Sequence, residues 1–428
     1  MRRSWISIAA ALVGIGTLAG AALTANAGVT RAGVSPASCA FDLKIGDVLP
    51  FTGDLAAYGG NMDRAVKLAV DLENKSLAAA GMTNAKVEVV GSEDGQTQAS
   101  ASVEAATKLI KTQGANVIIG EMASGATIPM AQSVTIPDGI VTLSPTASAP
   151  QISTIKDHNL LWRLYPSDSL QGNVLAQAAA SAFHKGVLNI GARNDAFGTA
   201  LAALVKKRYV ALGGKVGKTV LWNPNQANFD TEAGQLVSGN PAGWVIIDFP
   251  DTFQKFAPSL VRTGSWDPKR TFMTEALRNA DVLKTFGTAV NGLRGTAASS
   301  AGGPAGKAFA ALWKAQVHGA KPYTGFEGTA FDASMAAFLA AVKGCSASDA
   351  VLKRNLIPIS GPPGMKVTFR NLTAGVKALL AGKDIDYEGA FSPVDFDRNG
   401  DIGSAVYEIW RYNGNGNIST LKTVTFRG

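Results

Sequence analysis

Hydroxyl side chains follow two apolar runs of the sequence, a position from which they could bind an anion. Ser124 and Thr127 come just after "VIIG", and Thr146 and Ser148 come just after "IVTL". If each run is a buried strand that leads into a helix, the helix starts with backbone N–H groups that lack partners. Small hydroxyl donors beside such groups suit a carboxylate, because they supply fixed dipoles without a buried cation. Each hydroxyl taken singly is explained equally well as a helix cap.

Ser124 could instead be a nucleophile, because it follows a predicted strand and precedes a glycine. A nucleophile elbow requires the pattern GxSxG, however, and position 122 is methionine. A general base would also be needed. The sequence contains three histidines, all in polar stretches: His158, His184 and His318. A serine hydrolase is therefore the alternative, and a ligand-binding role is the first interpretation.

Aromatic and acidic side chains follow further apolar runs. Tyr58 follows the first run of the chain, and Phe197 follows "VLNIG". Asp248 and Phe249 follow "WVII", and Glu275 follows "TFM". A carboxylate at such a place could meet an ammonium group, while the rings could pack on an apolar side chain. Together with the hydroxyls, these residues predict a pocket for a zwitterion such as an amino acid.

The sequence favours neither a metal site nor a phosphate cradle. The stretch "DFDRNGDIGSAVYE" places Asp395, Asp397, Asn399 and Gly400 at the first, third, fifth and sixth positions of a calcium loop. Its twelfth position is Val406, where a glutamate is needed, so a tight turn between strands is the better interpretation. No His/Cys cluster has zinc spacing, and no P-loop pattern occurs. We therefore expect no cofactor.

The elements that must position these residues alternate between strands and helices. Apolar residues at helical spacing from Met62 to Leu72 predict a first helix. Such alternation predicts parallel sheets with helices on both faces, and ligands bind such sheets at the carboxyl ends of the strands. A second α/β lobe is predicted to begin near Tyr165. Its helices are predicted at 172–183, 199–212, 228–238 and 252–263.

Size and charge agree with a two-lobed globular protein. The 428 residues are too many for one compact core. Hydrophobic residues make up 46% and charged residues 17%, which is ordinary for a folded chain. The net charge is +8, but the basic residues are scattered and do not alternate with aromatic ones. We therefore expect no nucleic-acid partner.

The N-terminus has the pattern of a secretory signal peptide at residues 1–27. Arg2 and Arg3 precede an apolar stretch without charges at 6–23, and the "ANA" that follows offers a cleavage site. A retained membrane anchor is the alternative, since the stretch is nearly long enough to span. Residues 28–42 are predicted to form a flexible lead-in. We expect an exported protein of the periplasm or cell-envelope surface.

The two cysteines, Cys39 and Cys345, both lie in the predicted exported part. In an oxidising compartment such a pair is a plausible disulfide. A lipid on Cys39 is the alternative, although "SPASC" has proline where such a signal requires leucine. The disulfide is the preferred interpretation, and lipidation is not excluded by the sequence.

Six stretches, in order from about residue 43 to the end, resemble one known family. They are "KIGDVLPFTGDLAAYGGNMDRAVKLAV", "VIIGEMASGATIPMAQSV", "GIVTLSPTASAP", "RLYPSDSLQGNVLAQ", "NDAFGTALAALV" and "DIDYEGAFSPVDFDRNGD". The family is that of the leucine/isoleucine/valine-binding proteins, the type I periplasmic solute-binding proteins of ABC importers. The resemblance implies two doubly wound parallel-sheet lobes that are joined by a three-strand hinge and close on a ligand.

The resemblance also implies roles for individual residues. Ser124 and Ser148, with backbone groups near Thr146, would hold a ligand carboxylate. Glu275 would meet the ammonium group, although this match requires a one-residue gap. The other implied wall residues are Tyr58, Phe197 and Phe249.

Two charges near the expected pocket, Glu121 and Asp248, depart from the family pattern, as does Phe249, which lacks the hydroxyl of its tyrosine counterpart. These departures leave the ligand side chain open.

The resemblance implies an N-terminal lobe from 43–163 and 296–357 and a C-terminal lobe from 164–295 and 358–428. The stretch "DIDYEGAFSPVDFDRNGD" would be a strand and turn of the second lobe, in agreement with the missing calcium ligand.

The function expected from these observations is that of a solute-binding protein without catalysis. It would be a monomer that captures an amino acid, of branched-chain type or a related amide or carboxylate, and delivers it to a membrane ABC permease. Two alternatives belong to other classes: a serine hydrolase on the same scaffold, and a ligand-sensing module that signals through a separate partner.

Overall fold

The computed structural model describes residues 33–299 and 304–427. The predicted signal peptide at 1–27 lies outside the described residues, as does the first part of the predicted lead-in. The described strands are β1 (Phe41–Leu49), β2 (Ala85–Asp94), β3 (Val117–Gly120), β4 (Val141–Ser144), β5 (Leu161–Arg163), β6 (Val187–Arg193), β7 (Lys215–Trp222), β8 (Gly243–Ile247), β9 (Thr271–Met273), β10 (Arg294–Ala298), β11 (Met365–Val367), β12 (Ile385–Tyr387), β13 (Ser404–Gly414) and β14 (Asn417–Arg427). The described α-helices are α1 (Ala56–Ala79), α2 (Ala99–Lys111), α3 (Ser124–Met130), α4 (Asp168–Ala182), α5 (Ala196–Ala211), α6 (Asp230–Val237), α7 (Pro250–Arg262), α8 (Ala280–Lys284), α9 (Pro304–Gln316), α10 (Phe326–Gly344), α11 (Asp349–Asn355) and α12 (Leu372–Leu380).

The first lobe is built on a parallel sheet in the order β2-β1-β3-β4-β5. All four residues of β3 and of β4 are buried, as expected for parallel strands that are covered on both faces. Helices α1, α2 and α10 pack on this sheet. Because parallel strands point the same way, the segments after β1, β3 and β4 meet at one edge.

The second lobe is built on a sheet in the order β14-β13-β10-β9-β8-β6-β7. Strands β6 to β10 are parallel to one another, while β13 and β14 form an antiparallel hairpin that pairs with β10. Asn415 and Gly416 turn the hairpin with φ angles of 52° and 76°, the left-handed backbone that an Asn-Gly turn supplies. The chain passes between the sheets after β5, after β10 and before β13, which confirms two α/β lobes with three connections.

The predicted helices of the second lobe lie within a few residues of the observed ones. α4 and α5 begin earlier than predicted because polar residues cap them: the Ser167 hydroxyl accepts from the Ser169 N–H, and the Asp195 carboxylate accepts from the Gly198 N–H. An apolar pattern marks only the buried stripe of a helix, so it misses a polar first turn.

The predicted lobe boundaries differ from the structure in two places. Residue 296 lies inside β10, so the second sheet continues to Ala298. The strand pair β11–β12 and α12, which were predicted in the second lobe, pack instead with α1 and α10 of the first lobe. Only β13 and β14 of the predicted segment 358–428 join the second sheet.

A buried carboxylate explains the second difference. Asp332 of α10 accepts hydrogen bonds from the Tyr387 hydroxyl at 2.8 Å and from the N–H groups of Ala390 and Phe391 at 2.6 and 2.9 Å. These bonds hold the stretch "DIDYEGAFSPVDFDRNGD" against a first-lobe helix. The stretch contains the strand β12 and a turn, but its assignment to the second lobe is wrong.

Cys39 and Cys345 form a disulfide with a Cα–Cα distance of 4.9 Å. The bond joins the start of β1 to the end of α10, where Cys345 ends the helix in a left-handed conformation. A sulfur atom in a disulfide cannot also carry a lipid, so the bonded state and the lipid alternative exclude each other.

α10 is buried on every side, and every residue from Phe326 to Val342 is buried. It packs against α1, α11 and α12, so it belongs to the core of the first lobe. Among the described residues no single helix is long and apolar enough to cross a membrane. α10 and α11 meet that requirement only as a pair, across a bend of 105°.

Candidate functional site

A narrow cavity of about 20 Å³ lies where the carboxyl ends of the two sheets face each other. Both lobes contribute to its wall, as expected for a ligand site in an open α/β fold. Apolar residues dominate the remaining wall and include Leu55, Met122, Tyr165 and Phe326. Six of the seven predicted ligand-binding residues line it: Ser124, Thr146, Ser148, Phe197, Phe249 and Glu275.

Tyr58, the seventh predicted residue, lies behind the wall. Its hydroxyl donates to the carbonyl oxygen of Ala276 at 2.6 Å. Its ring packs edge-on against Phe326, with 5.0 Å between the ring centroids. Because Ala276 and Phe326 both line the cavity, Tyr58 supports the wall and also joins the first lobe to the second.

Ser124 begins α3, just after the sharp turn that ends β3. Gly120 makes this turn with a φ of 136°, and a Cβ there would lie 2.0 Å from the Val48 carbonyl oxygen. The Ser124 Oγ accepts hydrogen bonds from the N–H groups of Ser148 and Ala149 at 3.1 and 3.0 Å. These bonds use both lone pairs, so the Ser124 proton is left to donate into the cavity.

The Thr146 and Ser148 hydroxyls of the pocket are hydrogen-bonded within the protein. The Thr146 hydroxyl donates to the Met122 carbonyl oxygen at 2.8 Å. The Ser148 Oγ lies 3.1 Å from a carboxylate oxygen of Asp168. Thr127 donates to the carbonyl oxygens of Glu121 and Ala123 and does not line the cavity, so it neither faces the ligand site nor caps α3.

The two charges that depart from the family pattern are buried behind the wall and do not line the cavity. Burial raises the pKa of Glu121 to about 8, and its carboxylate accepts from the Ala123 N–H at 2.5 Å. Burial likewise raises the pKa of Asp248 well above its usual range, although Arg193 lies 3.7 Å away. Both residues support loops of the pocket and do not face its interior.

Two stacked rings form the second-lobe wall. Phe197, in the first turn of α5, and Phe249, which precedes α7, have ring centroids 5.2 Å apart and planes inclined by 16°. The Arg193 guanidinium lies 3.8 Å above the Phe249 ring, a cation–π contact that fixes the ring from behind. The wall is therefore flat, apolar and rigid.

Arg193 also joins the lobes directly. Its guanidinium lies 2.7 Å from the Asp54 carboxylate, which belongs to the loop between β1 and α1 of the first lobe. Asp195 and Asp248 of the second lobe flank the same guanidinium. The backbone N–H of Asp251 donates to the Asp54 carbonyl oxygen at 3.3 Å. The described arrangement thus has the lobes in contact around the cavity.

Two acidic residues form a pair at the cavity: Glu275 lines it, and Asp168 lies close to Glu275 outside the lining. Burial raises the pKa of Glu275 to about 7, and the Gln171 amide donates to its carboxylate. Asp168, three residues before Gln171 on α4, is also buried. Burial, and then the nearby Glu275, raise the pKa of Asp168 well above its usual range.

Sequence reasoning did not select Tyr165, Asp168, Gln171 or Arg193. The first three lie in "YPSDSLQG", directly after β5, which is the same strand-end position that pointed to the other residues. Asp168 and Gln171 are three residues apart and so share one face of α4. Arg193 ends an apolar strand and is 2% exposed, but only the fold shows its partner Asp54.

Comparison with models of known protein families decides which family this architecture belongs to. The model described as periplasmic binding protein matches residues 42–417. The chain belongs to this family. Within it the chain is a type I protein of the leucine/isoleucine/valine-binding kind, as the six stretches predicted.

Three similar proteins are informative. The chemotactic signal transduction system substrate-binding protein BasB of Halobacterium salinarum is 25% identical over 364 residues, which cover 82% of each chain. The leucine-binding protein LivK of Thermotoga maritima has a TM-score of 0.71 and 17% identity, over 89% of this chain and 98% of that one. A solute-binding protein of an ABC transporter from Rhodopseudomonas palustris, solved with 3,4-dihydroxybenzoic acid, has a TM-score of 0.69 and 18% identity, over 90% and 97% of the chains. The two structures share the fold, and all three proteins are binding proteins.

This periplasmic binding protein is not an enzyme, in keeping with its relatives. Both hydrogen bonds of the Ser124 Oγ come from backbone N–H groups, and no histidine or carboxylate in the described chain is bonded to it. None of the three histidines lines the cavity. The serine hydrolase alternative therefore lacks a general base as well as a GxSxG pattern.

The calcium pattern of this periplasmic binding protein is a turn. The Asp397 carboxylate accepts from the N–H groups of Asn399 and Asp401 at 2.7 and 3.0 Å. Asp401 pairs with the buried Arg163 at 2.7 Å. Within 33–299 and 304–427, no group of three His, Cys, Asp or Glu residues is placed to hold a metal ion.

A second, larger cavity of about 210 Å³ adjoins the first. Tyr165, Glu275 and Phe326 line both cavities. The second cavity also contains the ion pair of Arg278 with Glu408. Glu275 is therefore accessible from two sides, and a ligand bound to it has room beyond the first cavity.

Proposed function

We propose that this chain is the extracytoplasmic binding protein of an ABC importer and captures an amino acid, or a related small carboxylate, between its lobes. The observation that carries this proposal is the polarity of the cavity. The first lobe contributes a free hydroxyl proton of Ser124 to the cavity wall, and the second lobe contributes the Glu275 carboxyl group. This is the arrangement that a zwitterion requires.

In the proposed complex, Ser124 donates to the ligand carboxylate and Glu275 receives the ammonium group. The ligand side chain lies against the stacked rings of Phe197 and Phe249. Burying an apolar side chain on such a wall contributes about 25 cal/mol per Å² of area removed from water. The polar contacts orient the ligand, and the apolar contacts supply most of the affinity.

Ligand binding shifts the population toward the closed form. Residues from both lobes line the cavity, so a ligand makes its full set of contacts only when the lobes meet. A membrane permease then recognises the closed form. The predicted signal peptide and the family's periplasmic members support an extracytoplasmic location for this chain.

Thermal unfolding tests the proposed ligand class. A chain that begins at residue 28 is melted with leucine, isoleucine, valine, leucinamide, benzoate and 3,4-dihydroxybenzoate. A ligand at about 100 times its dissociation constant adds about 2.7 kcal/mol, which raises the melting temperature by a few degrees. We expect amino acids to do so. No shift with any amino acid contradicts the proposal.

A second candidate ligand is an aromatic acid. The flat wall of Phe197 and Phe249 suits a planar ring, and one solved relative contains 3,4-dihydroxybenzoic acid. Such a ligand lacks a cation for Glu275, so the buried carboxyl favours the amino acid. The Glu275→Gln variant separates the two, because it should weaken amino-acid binding and leave the binding of a benzoate unchanged or stronger.

A second candidate partner is a signalling receptor. BasB, which matches 82% of this chain, is named as part of a chemotactic signal transduction system. The permease is our proposal because the two solved relatives are named for leucine binding and for an ABC transporter. Uptake of labelled ligand by cells that lack this chain distinguishes the two partners, since loss of uptake is expected only for an importer.

A further inference from the structure

Ser148 and Asp168 are bonded twice where the chain passes from the first lobe to the second. The Asp168 N–H donates to the Ser148 carbonyl oxygen at 2.8 Å. The Ser148 Oγ and the Asp168 Oδ2 are 3.1 Å apart. Ser148 is 2% exposed and Asp168 is fully buried, and Ser148 lines the cavity. The bond between the side chains therefore joins a pocket hydroxyl to a buried acid.

The location of one proton decides what Ser148 offers to a ligand. A serine hydroxyl has one proton and two lone pairs. If Asp168 is ionised, Ser148 donates its proton to Asp168, and only lone pairs face the cavity. If Asp168 is neutral, the acid donates to the Ser148 Oγ, and the Ser148 proton is free. A carboxylate ligand is repelled in the first case and bound in the second.

The surroundings of Asp168 favour the neutral acid. Its Oδ1 has no hydrogen-bond partner, and a second carboxyl, Glu275, lies close enough to repel an ionised Asp168. Asp195 also repels it, whereas Arg163 and the N-terminus of α4 favour ionisation.

Arg163 is already committed to Asp401, to Ser153 and to the Ala149 carbonyl oxygen. The hydroxyls of Tyr165 and Tyr407 are the remaining titratable groups nearby, and both stay neutral because burial raises the pKa of each well above its usual range. Burial dominates the balance at Asp168.

We propose that Asp168 is a positioning residue that keeps its proton, donates it to the Ser148 Oγ and so directs the Ser148 proton at the ligand carboxylate. Glu275 is then the member of the acidic pair that carries the negative charge and meets the ammonium group. This inference rests on the proposed function, because it requires a ligand with a carboxylate. Ser124 and Ser148 both become donors, which matches two hydrogen bonds to one carboxylate group.

Binding of leucine to three variants tests the inference. Asp168→Ala removes the donor to Ser148 and should weaken leucine binding about tenfold, the effect of one charge-assisted hydrogen bond. Asp168→Asn supplies a permanent donor, because its amide N–H₂ replaces the acid proton. It should restore affinity to within about threefold of wild type. In a Ser148→Ala background, the two Asp168 substitutions should no longer differ.

Asp349→Asn is the matched control, since Asp349 is also the first residue of a helix and lies outside the cavity. It should not change leucine affinity. If Asp168→Asn weakens binding as much as Asp168→Ala, Asp168 acts as a carboxylate and the inference is wrong. If wild-type protein does not bind leucine or any other carboxylate of the panel, the proposed function fails together with the inference.

Infrared spectroscopy reads the proton directly and does not depend on ligand affinity. A protonated carboxyl group has a C=O stretching band that a carboxylate lacks. The difference spectrum between wild type and Asp168→Asn at neutral pH should contain this band. Ser148→Ala, which removes the acceptor, should move the band to higher frequency. A difference spectrum with only carboxylate bands overturns the inference, even if one of the variants is too unstable for binding measurements.

Discussion

At the scale of single residues, the site depends on how protons are shared among buried polar groups. Ser124 keeps a free proton because backbone N–H groups occupy both of its lone pairs. Glu275 is held in a position where its charge state changes near neutral pH, because burial raises its pKa to about 7. Glu275, the residue proposed to meet the ligand cation, is therefore only partly ionised in the empty protein near neutral pH.

Amino-acid binding should strengthen as the pH rises through about 7. In the empty protein Glu275 is neutral below its raised pKa and ionised above it, and the ligand ammonium pairs only with the ionised form. Below this pKa, affinity should fall by up to about tenfold for each pH unit. Isothermal titration calorimetry with leucine from about pH 5 to pH 8 measures the effect.

Glu275→Gln is the control for this pH dependence. Its binding should be weak and nearly the same at every pH, because the amide does not titrate in this range. A wild-type affinity that stays constant over the same range would show that Glu275 does not meet the ammonium group.

At the scale of elements, the strand ends were predictable and their partners were not. Apolar runs located β3 and β4, and with them Ser124, Thr146 and Ser148. The pairing of Gln171 with Glu275 joins residues 104 positions apart, which no local pattern records.

The position of β11, β12 and α12 on the first lobe could not be predicted from the sequence either. It depends on the hydrogen bonds that the buried Asp332 carboxylate of α10 accepts. The ion pair of Asp54 with Arg193 could not be predicted for the same reason, because the two residues are far apart in the sequence. Periodicity predicts elements, whereas contacts between elements depend on side chains that meet only after folding.

The turn after β3 should tolerate only glycine. In Gly120→Ala the new Cβ would meet the Val48 carbonyl oxygen at 2.0 Å, and φ is 136°, a conformation that alanine rarely adopts. Together the overlap and the backbone strain should lower the free energy of unfolding by about 3 kcal/mol. Denaturation by guanidinium chloride measures the change.

Gly60→Ala is the matched control for the turn. Gly60 lies inside α1, and a Cβ there meets nothing within 4 Å. Alanine should therefore stabilise the helix by about 0.5–1 kcal/mol. Equal effects of the two substitutions would mean that the close approach of Gly120 to Val48 does not constrain the turn.

At the scale of the whole molecule, the lobes are held together by a few polar contacts around the cavity. Tyr58 bonds to Ala276, and Asp54 pairs with Arg193. Neither Asp54 nor Arg193 lines the cavity, so their ion pair stabilises the contact between the lobes and does not touch the ligand site. The stability of the closed form can therefore be changed without changing the pocket.

Asp54→Asn should weaken ligand binding without altering the site. The substitution removes the charge from the contact between the lobes, and Arg193 keeps Asp195 and Asp248 as partners. Because the closed form loses a charge-assisted contact, affinity should fall about tenfold. Calorimetry measures the affinity, and small-angle X-ray scattering with saturating ligand measures closure.

Asp251→Asn is the control, because Asp251 lies beside the same contact and its side chain pairs with the exposed Lys255. It should bind like wild type. If Asp54→Asn also binds like wild type, the pair with Arg193 does not contribute to closure.

The disulfide between Cys39 and Cys345 has a consequence for the order in which the protein is assembled. The two cysteines are 306 positions apart in the sequence. The covalent ring that their bond closes contains two of the connections between the lobes, the one after β5 and the one after β10. The ribosome synthesises Cys39 early and Cys345 late. The disulfide that joins the start of β1 to the end of α10 can therefore form only after α10 has been synthesised. The first lobe of this protein can therefore be completed only after nearly the whole chain has been synthesised, although its sheet is encoded first.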